Sequence, residues 1–193
     1  MGRLLCTSIG SLDGYLADPE GHFGWAAPDA EVHAFVNAQQ RGVGTYLYGR
    51  RTYELMVGWE TDPTIAAASP ETAEFAEVWQ GADKVVYSAS LGDVSTRRTS
   101  LRRRFDPEEV ARLKRDSAAD LAVSGPTLAK HAFAAGLVDA LQVFLVPLVV
   151  GGGLSFWPAI RTPLVLRDER RFANGVVWLS YDVAHSDIGA GRA

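Results

Sequence analysis

Short apolar, β-branched runs that end at Gly, Ser or Asp alternate along this chain with stretches where apolar residues recur at i, i+3 and i+4. Such a succession predicts strands that feed helices. Leu4 to Ile9 is a buried strand entering the turn Gly10-Ser11-Leu12-Asp13-Gly14. Asp29 caps a helix whose stripe is Val32, Phe35 and Val36 and which closes at Gly42. Gly44 to Tyr48 is a strand that breaks at Gly49 directly into Arg50-Arg51-Thr52, with the helix running on through Tyr53 to Trp59 and a loop at Asp62-Pro63. Ser69 and Pro70 start another helix, apolar at Phe75, Val78 and Trp79. Lys84 to Tyr87 is a strand ending at Ser88, and Asp106-Pro107-Glu108-Glu109 opens a further helix with a box-like Glu. Asp120 to Val123 is a strand that breaks at Ser124-Gly125-Pro126-Thr127 into the helix Leu128 to Ala135, stopped by Gly136. Ala140 to Val146, apolar on both faces apart from Gln142, is expected at the covered centre of the sheet. After Gly151-Gly152-Gly153, the segments Leu164 to Phe172 and Val176 to Tyr181 flank Asn174-Gly175, a hairpin signal. The expected fold is α/β, with a mixed, mostly parallel sheet and a C-terminal antiparallel hairpin.

Composition narrows the class. A chain of 193 residues, 47% hydrophobic and 22% charged, is expected to form one domain over 1–185, with a loose polar tail at 186–193. The net charge of −4 speaks against a nucleic-acid partner. Cys6 stands alone, so an intrachain disulfide is excluded and a reducing cytoplasm fits. The apolar run near the N-terminus is too short for a secretory leader, and Val143 to Val150, interrupted by Pro147, is too short to span a bilayer.

The candidate chemistry lies at the strand-to-helix breaks. Gly49 is expected to let the backbone turn where a Cβ would clash, and the following helix start, with Arg50, Arg51 and Thr52, suits a phosphate. A structural turn with solvated arginines is the plainer alternative. Ser124-Gly125-Pro126-Thr127-Leu128 repeats the same logic. In one parallel sheet both breaks would face the carboxyl ends of the strands, where a ligand with two anionic groups bridges them. Arg97, Arg98, Arg102, Arg103 and Arg104 form a basic cluster after the Ser88 loop, either a solvated face or a second phosphate contact. Glu31 and Phe35 share a helix face, a carboxylate beside a ring, although a first-turn Glu also simply complements the helix dipole. Gly152 and Gly153 keep backbone bare for a close approach. The segment Asp18 to Trp25 places aromatic rings on a Gly-bordered loop able to cover a pocket. P-loop, serine-elbow and zincin motifs are missing, and His22, His33, His131 and His185 are too scattered to suggest a metal.

Taken together, the Ser-Leu-Asp-Gly turn, Gly49-Arg50-Arg51-Thr52-Tyr53-Glu54, the strand ending at Ser88, Ser124-Gly125-Pro126-Thr127-Leu128, the Gly151-Gly152-Gly153 loop and the final hairpin resemble the dihydrofolate-reductase-like superfamily. The resemblance covers nearly the whole chain and is greatest to the C-terminal reductase domain of the riboflavin-biosynthesis deaminase-reductase and its stand-alone relatives. It implies a three-layer fold that binds NADPH and transfers hydride to a C=N or C=O carbon of a small heterocyclic or sugar-like substrate. On that footing Gly49, Arg50, Arg51 and Thr52 hold phosphate oxygens, Ser88 with a nearby Arg favours the 2′-phosphate, and Ser124, Gly125, Pro126, Thr127 and Leu128 form the second phosphate turn. Ser124 stands where folate reductases keep the first of two glycines, which points away from folate. The same comparison makes Glu31 and Asp13 the candidate catalytic carboxylates, with Phe35, Gly152 and Gly153 near the substrate. A homodimer is expected from the apolar C-terminal strands and the resemblance. A small-ligand-binding protein of the same fold without turnover is the alternative.

Overall fold

A computed structural model describes residues 1–184, so the expected tail and the 185/186 boundary lie outside the described residues. The strands are β1 (Leu4–Ser11), β2 (Tyr15–Ala17), β3 (Val43–Gly49), β4 (Asp83–Tyr87), β5 (Thr99–Arg102), β6 (Asp120–Ser124), β7 (Ala140–Val146), β8 (Leu154–Ser155), β9 (Leu164–Arg171) and β10 (Val177–Val183). The helices are α1 (Ala30–Gln40), α2 (Arg50–Met56), α3 (Gly58–Thr61), α4 (Pro63–Ala66), α5 (Pro70–Gly81), α6 (Pro107–Asp116) and α7 (Pro126–Ala134). The main sheet has the order β5-β4-β3-β6-β1-β7-β10-β9. It is parallel from β5 to β7 and antiparallel through β10 and β9. This is the expected mixed sheet with a terminal hairpin.

Alternation explains the layers. In β3, Leu47 faces the α6 and α7 side while Tyr46 and Tyr48 face the α1 and α5 side; Val86 and its neighbours Val85 and Tyr87 in β4 divide the same way. Neighbouring residues on a strand point to opposite faces, so each strand feeds both cores. Burying each such Leu or Val contributes about 1.5–3 kcal/mol. Trp79, fully buried, joins α5 to β3 by donating its indole N–H to the Tyr48 hydroxyl at 3.0 Å. Gln142, the polar residue of β7, is buried and accepts from the Thr7 hydroxyl at 3.1 Å.

Expected helix starts recur as read: Asp29, Ser69 and Asp106 each accept from a backbone N–H of their helix. Glu109, however, completes no capping box; its carboxylate pairs with Arg102 at 2.6 Å. The Asp62-Pro63 segment is not loop. Asp62 caps the one-turn helix α4, accepting from the Thr64 N–H at 2.9 Å, and Ile65 of α4 packs so closely on Gly58 that a Cβ there would lie 2.7 Å away. Four residues are too few for a helical period to show. The hairpin closes through Ala173, Asn174 and Gly175, whose φ of 87° places it in the left-handed region. Among the described residues, no helix is long and apolar enough to cross a membrane, and no group of three or more His, Cys, Asp or Glu could hold a metal ion.

Candidate functional site

The sheet opens beside β1. Strand β6 pairs with β1 only as far as Cys6↔Val123, whereas β1 continues along β7 to Ser11↔Val146. Beyond Cys6, the β6 side of β1 is therefore bare, and a cleft of about 1480 Å³ runs from there across the carboxyl ends of β6, β3 and β4. Pockets for single small molecules measure about 300–1,000 Å³. This cleft has room for more than one.

Two helix starts face it, on adjacent strands. In register, Tyr48 of β3 lies beside Ser124 of β6, and Gly49 lies beside Tyr87 of β4. Each strand then breaks at a glycine, so α2 and α7 begin side by side. Neither has a side-chain cap, whereas α1, α4, α5 and α6 all do. The first-turn amides of α7 thus stay free to donate toward the cleft. Gly125 is required twice over: its φ is 93°, and a Cβ would lie 2.4 Å from the Thr52 hydroxyl oxygen. That contact fits the two turns together. Gly49 differs from the expectation. Its φ is −77° and a Cβ would meet nothing within 4 Å, so no clash inside the chain demands the glycine. Its bare surface faces the cleft, where a ligand gains the room.

At the β4 end, the Ser88 hydroxyl accepts from the N–H groups of Ser90 (3.3 Å) and Leu91 (3.0 Å), which curls the loop after β4. Arg50 bridges Glu54 at 2.7 Å and the Ser90 hydroxyl at 3.1 Å. The basic cluster divides. Arg97, Arg98 and Arg102 are engaged by Glu60, Asp83 and Glu109, while Arg103 and Arg104 line the cleft. Arg51 and Arg104 have no ion-pair partner among the described residues. Thr52, Pro126, Thr127 and Leu128 complete this wall. Tyr87, 7% exposed, also lines it with a buried hydroxyl that has no hydrogen-bond partner among the described residues, and burial lifts its pKa well above the usual phenol value.

A family model of the RibD C-terminal domain matches residues 3–177. The chain belongs to this family. No curated protein matches the sequence. Among solved structures, a Shewanella sp. PV-4 protein described as a riboflavin biosynthesis protein superposes with a TM-score of 0.72 at 18% identity, over 94% of this chain and 98% of its own. A pyrimidine reductase-like protein from Corynebacterium diphtheriae gives 0.62 at 15% identity, over 96% and 93%. Dihydrofolate reductase from Enterococcus faecalis, complexed with NADP(H), gives 0.60 at 16% identity, over 95% and 97%. At these identities the likeness establishes the dihydrofolate-reductase-like fold.

Within this RibD C-terminal domain, the phosphate-turn candidates converge and the substrate-side candidates do not. Glu31 lies outside the cleft lining; its carboxylate holds Arg170 at 3.1 Å and accepts from the Ala173 N–H at 3.1 Å, binding α1 to the hairpin. Phe35 packs edge-on against Phe144, Phe172 and Trp178, with the Arg170 guanidinium 4.9 Å from its ring centre. Asp13 is also outside. It accepts from the N–H groups of Gly151 (2.8 Å) and Val150 (3.2 Å), and the Ser11 hydroxyl, followed by these amides, lowers its pKa. Gly153 does line the cleft, but the close approach is internal, since a Cβ would lie 2.1 Å from the Ala17 carbonyl oxygen. Gly152 is not in the lining. Asp18, Glu20 and Phe23 of the loop expected to cover a pocket line the cleft, whereas Ser8, Phe105 and His131, which also line it, carried no motif in the sequence.

Proposed function

We propose that this chain is an NADPH-dependent reductase that delivers a hydride to a C=N or C=O carbon of a small substrate. The observation that carries the reading is the pair of uncapped helix starts on adjacent parallel strands, with Arg51 and Arg104 unengaged in the same cleft. Free amides and unpaired guanidinium groups are the donors a chain of phosphates needs. Membership of the RibD C-terminal domain family, and a fold shared with an NADP(H)-complexed reductase, support the same cofactor.

The residues fit that group. The amides at the start of α7 and the guanidinium of Arg51 would hold the pyrophosphate, Gly49 leaves it room, and Arg104 with the Ser88 loop would take the 2′-phosphate. When bound, the nicotinamide supplies the hydride. Ser8, Ile9 and Leu16 shape the β1 end of the cleft, where the acceptor carbon would be oriented and water excluded. The substrate nitrogen or oxygen gains one proton from solvent, which the Asp18 carboxylate in the cleft wall can relay.

Titration with NADPH and, separately, NADH, read by nicotinamide and Trp fluorescence, tests the reading. NADPH is expected to bind the tighter, and Arg104→Ala to weaken NADPH about 10-fold with little effect on NADH, the loss of one charge-assisted contact. Failure of both nucleotides to bind overturns it. One observation favours a second reading, a ligand-binding protein without turnover: both Glu31 and Asp13 are engaged outside the cleft. NADPH oxidation with any imine or ketone substrate separates the two.

A further inference from the structure

The arginines of the cleft gather at one end of it, where Glu54 of α2, also in the lining, is already paired with Arg50 at 2.7 Å. Arg50, Arg51, Arg103 and Arg104 all belong to the α2, β4 and β5 end. At the other end, bounded by β1, β2 and β8, Asp18 and Glu20 are the acidic side chains of the lining, and among the described residues no Lys, Arg or His from these elements joins them. His22, beside this end but outside the lining, has its Nδ1 3.4 Å from the Asp18 carboxylate. Between the two ends stands α2. There Arg51 lies one turn before Leu55 on the same face, and both line the cleft.

What the β1 end offers instead is apolar surface. Ile9, Leu16, Phe23, Leu55 and Leu154 line the cleft, and Phe23, Leu55 and Leu154 are open to solvent, with 49%, 62% and 48% of their surfaces exposed. Large apolar side chains left open together at the mouth of a cleft mark a binding surface. A phosphate placed among them would share the cleft wall with Asp18 and Glu20, and the nearest cation along α2, Arg51, is the one the cofactor's pyrophosphate would already hold. Burying an unpaired charge in this way is strongly unfavourable.

We propose that the substrate of this chain is a flat, phosphate-free heterocycle, neutral or cationic, whose ring lies between the apolar residues at the mouth. The proposal rests on the reductase reading for the position of the cofactor and goes beyond it by fixing the charge of the second ligand. It separates this chain from any reductase whose pyrimidine substrate carries a ribosyl phosphate.

The test is a matched pair, an aminopyrimidine riboside and its 5′-phosphate, titrated calorimetrically into the protein with and without saturating NADP⁺. The riboside is expected to bind at least about 10-fold tighter than its phosphate, with an affinity unchanged by salt, as for a contact without charge pairing. Leu154→Asn is expected to weaken the riboside severalfold while NADPH affinity stays the same. Leu55→Arg, at an exposed helical position, is expected to reverse the preference by supplying the missing cation. Tighter binding of the 5′-phosphate in the NADP⁺-saturated protein, or no binding of either probe under any condition, overturns the proposal. Because the probes are also read without nucleotide, a failure of NADP⁺ to bind would fall on the reductase reading and leave the charge preference measurable.

Discussion

A side chain at position 125 would need both a backbone angle that L-residues avoid and the space that Thr52 fills. These two demands can be measured apart. Gly125→Ala is expected to lower stability by about 1–3 kcal/mol, the range for a non-glycine residue held in a sparsely populated backbone region, and urea unfolding reads the change. Removing the contact as well, in Gly125→Ala/Thr52→Ala, should recover only part of that loss, because the angle remains. Full recovery would mean that contact, not backbone, makes the glycine necessary. The same residue-level reading shows why Glu31 and Asp13 drew attention as acids. Each is a carboxylate in the right stretch of chain, but apart from Ser11 beside Asp13 the groups that engage them, Arg170 with Ala173 and Gly151 with Val150, lie more than a hundred residues away. No local pattern announces such partners.

Among the elements, α2 is tied to the connection between β4 and β5 by one hydroxyl. Tyr53 is buried, and its phenolic oxygen accepts from the backbone N–H groups of Ser95 (2.8 Å) and Thr96 (3.2 Å) in the connection between β4 and β5. Tyr53→Phe keeps the ring and removes the acceptor, leaving the buried Thr96 amide without its partner. A loss of about 1–3 kcal/mol is expected from one unsatisfied buried donor. The connection joins the Ser88 loop to the arginines after β5, so NADPH affinity should fall as well, whereas a purely local loss of stability would leave the affinity unchanged. Elements of this length were legible where chemistry marked them: Asp29, Ser69 and Asp106 announced α1, α5 and α6, and the paired Gly breaks announced α2 and α7. The predicted Tyr53 to Trp59 helix runs on through Val57, whose angles stay helical, whereas the fold-back of Ile65 of α4 onto Gly58 was not legible, because four residues show no helical period.

At the scale of the whole molecule, alternation and strand endings were enough to anticipate a mixed sheet, but nothing local disclosed that β1 and β6 part after Cys6 and so open the cleft. The same sheet has a consequence at its far side. Among the described residues, strand β9 pairs only with β10 and is the edge, exposed along nearly its whole length, with Val165 and Leu166 at 46% and 48% exposure. An open edge with exposed apolar residues is a template for another strand. We propose that the expected homodimer forms there, with β9 of two chains related by a two-fold axis, the commonest arrangement for identical chains. Part of the edge's charge is already committed internally, Arg167 to Asp182 at 2.5 Å and Arg170 to Glu31, which leaves the apolar end as the natural contact. Light scattering on an eluting column should then report twice the 20.9 kDa chain mass, and Val165→Lys/Leu166→Lys should shift it toward the single-chain value without lowering NADPH affinity, since the cleft lies across the sheet from β9. A wild-type protein that elutes as one chain removes the dimer, and a variant that stays dimeric moves the interface away from β9.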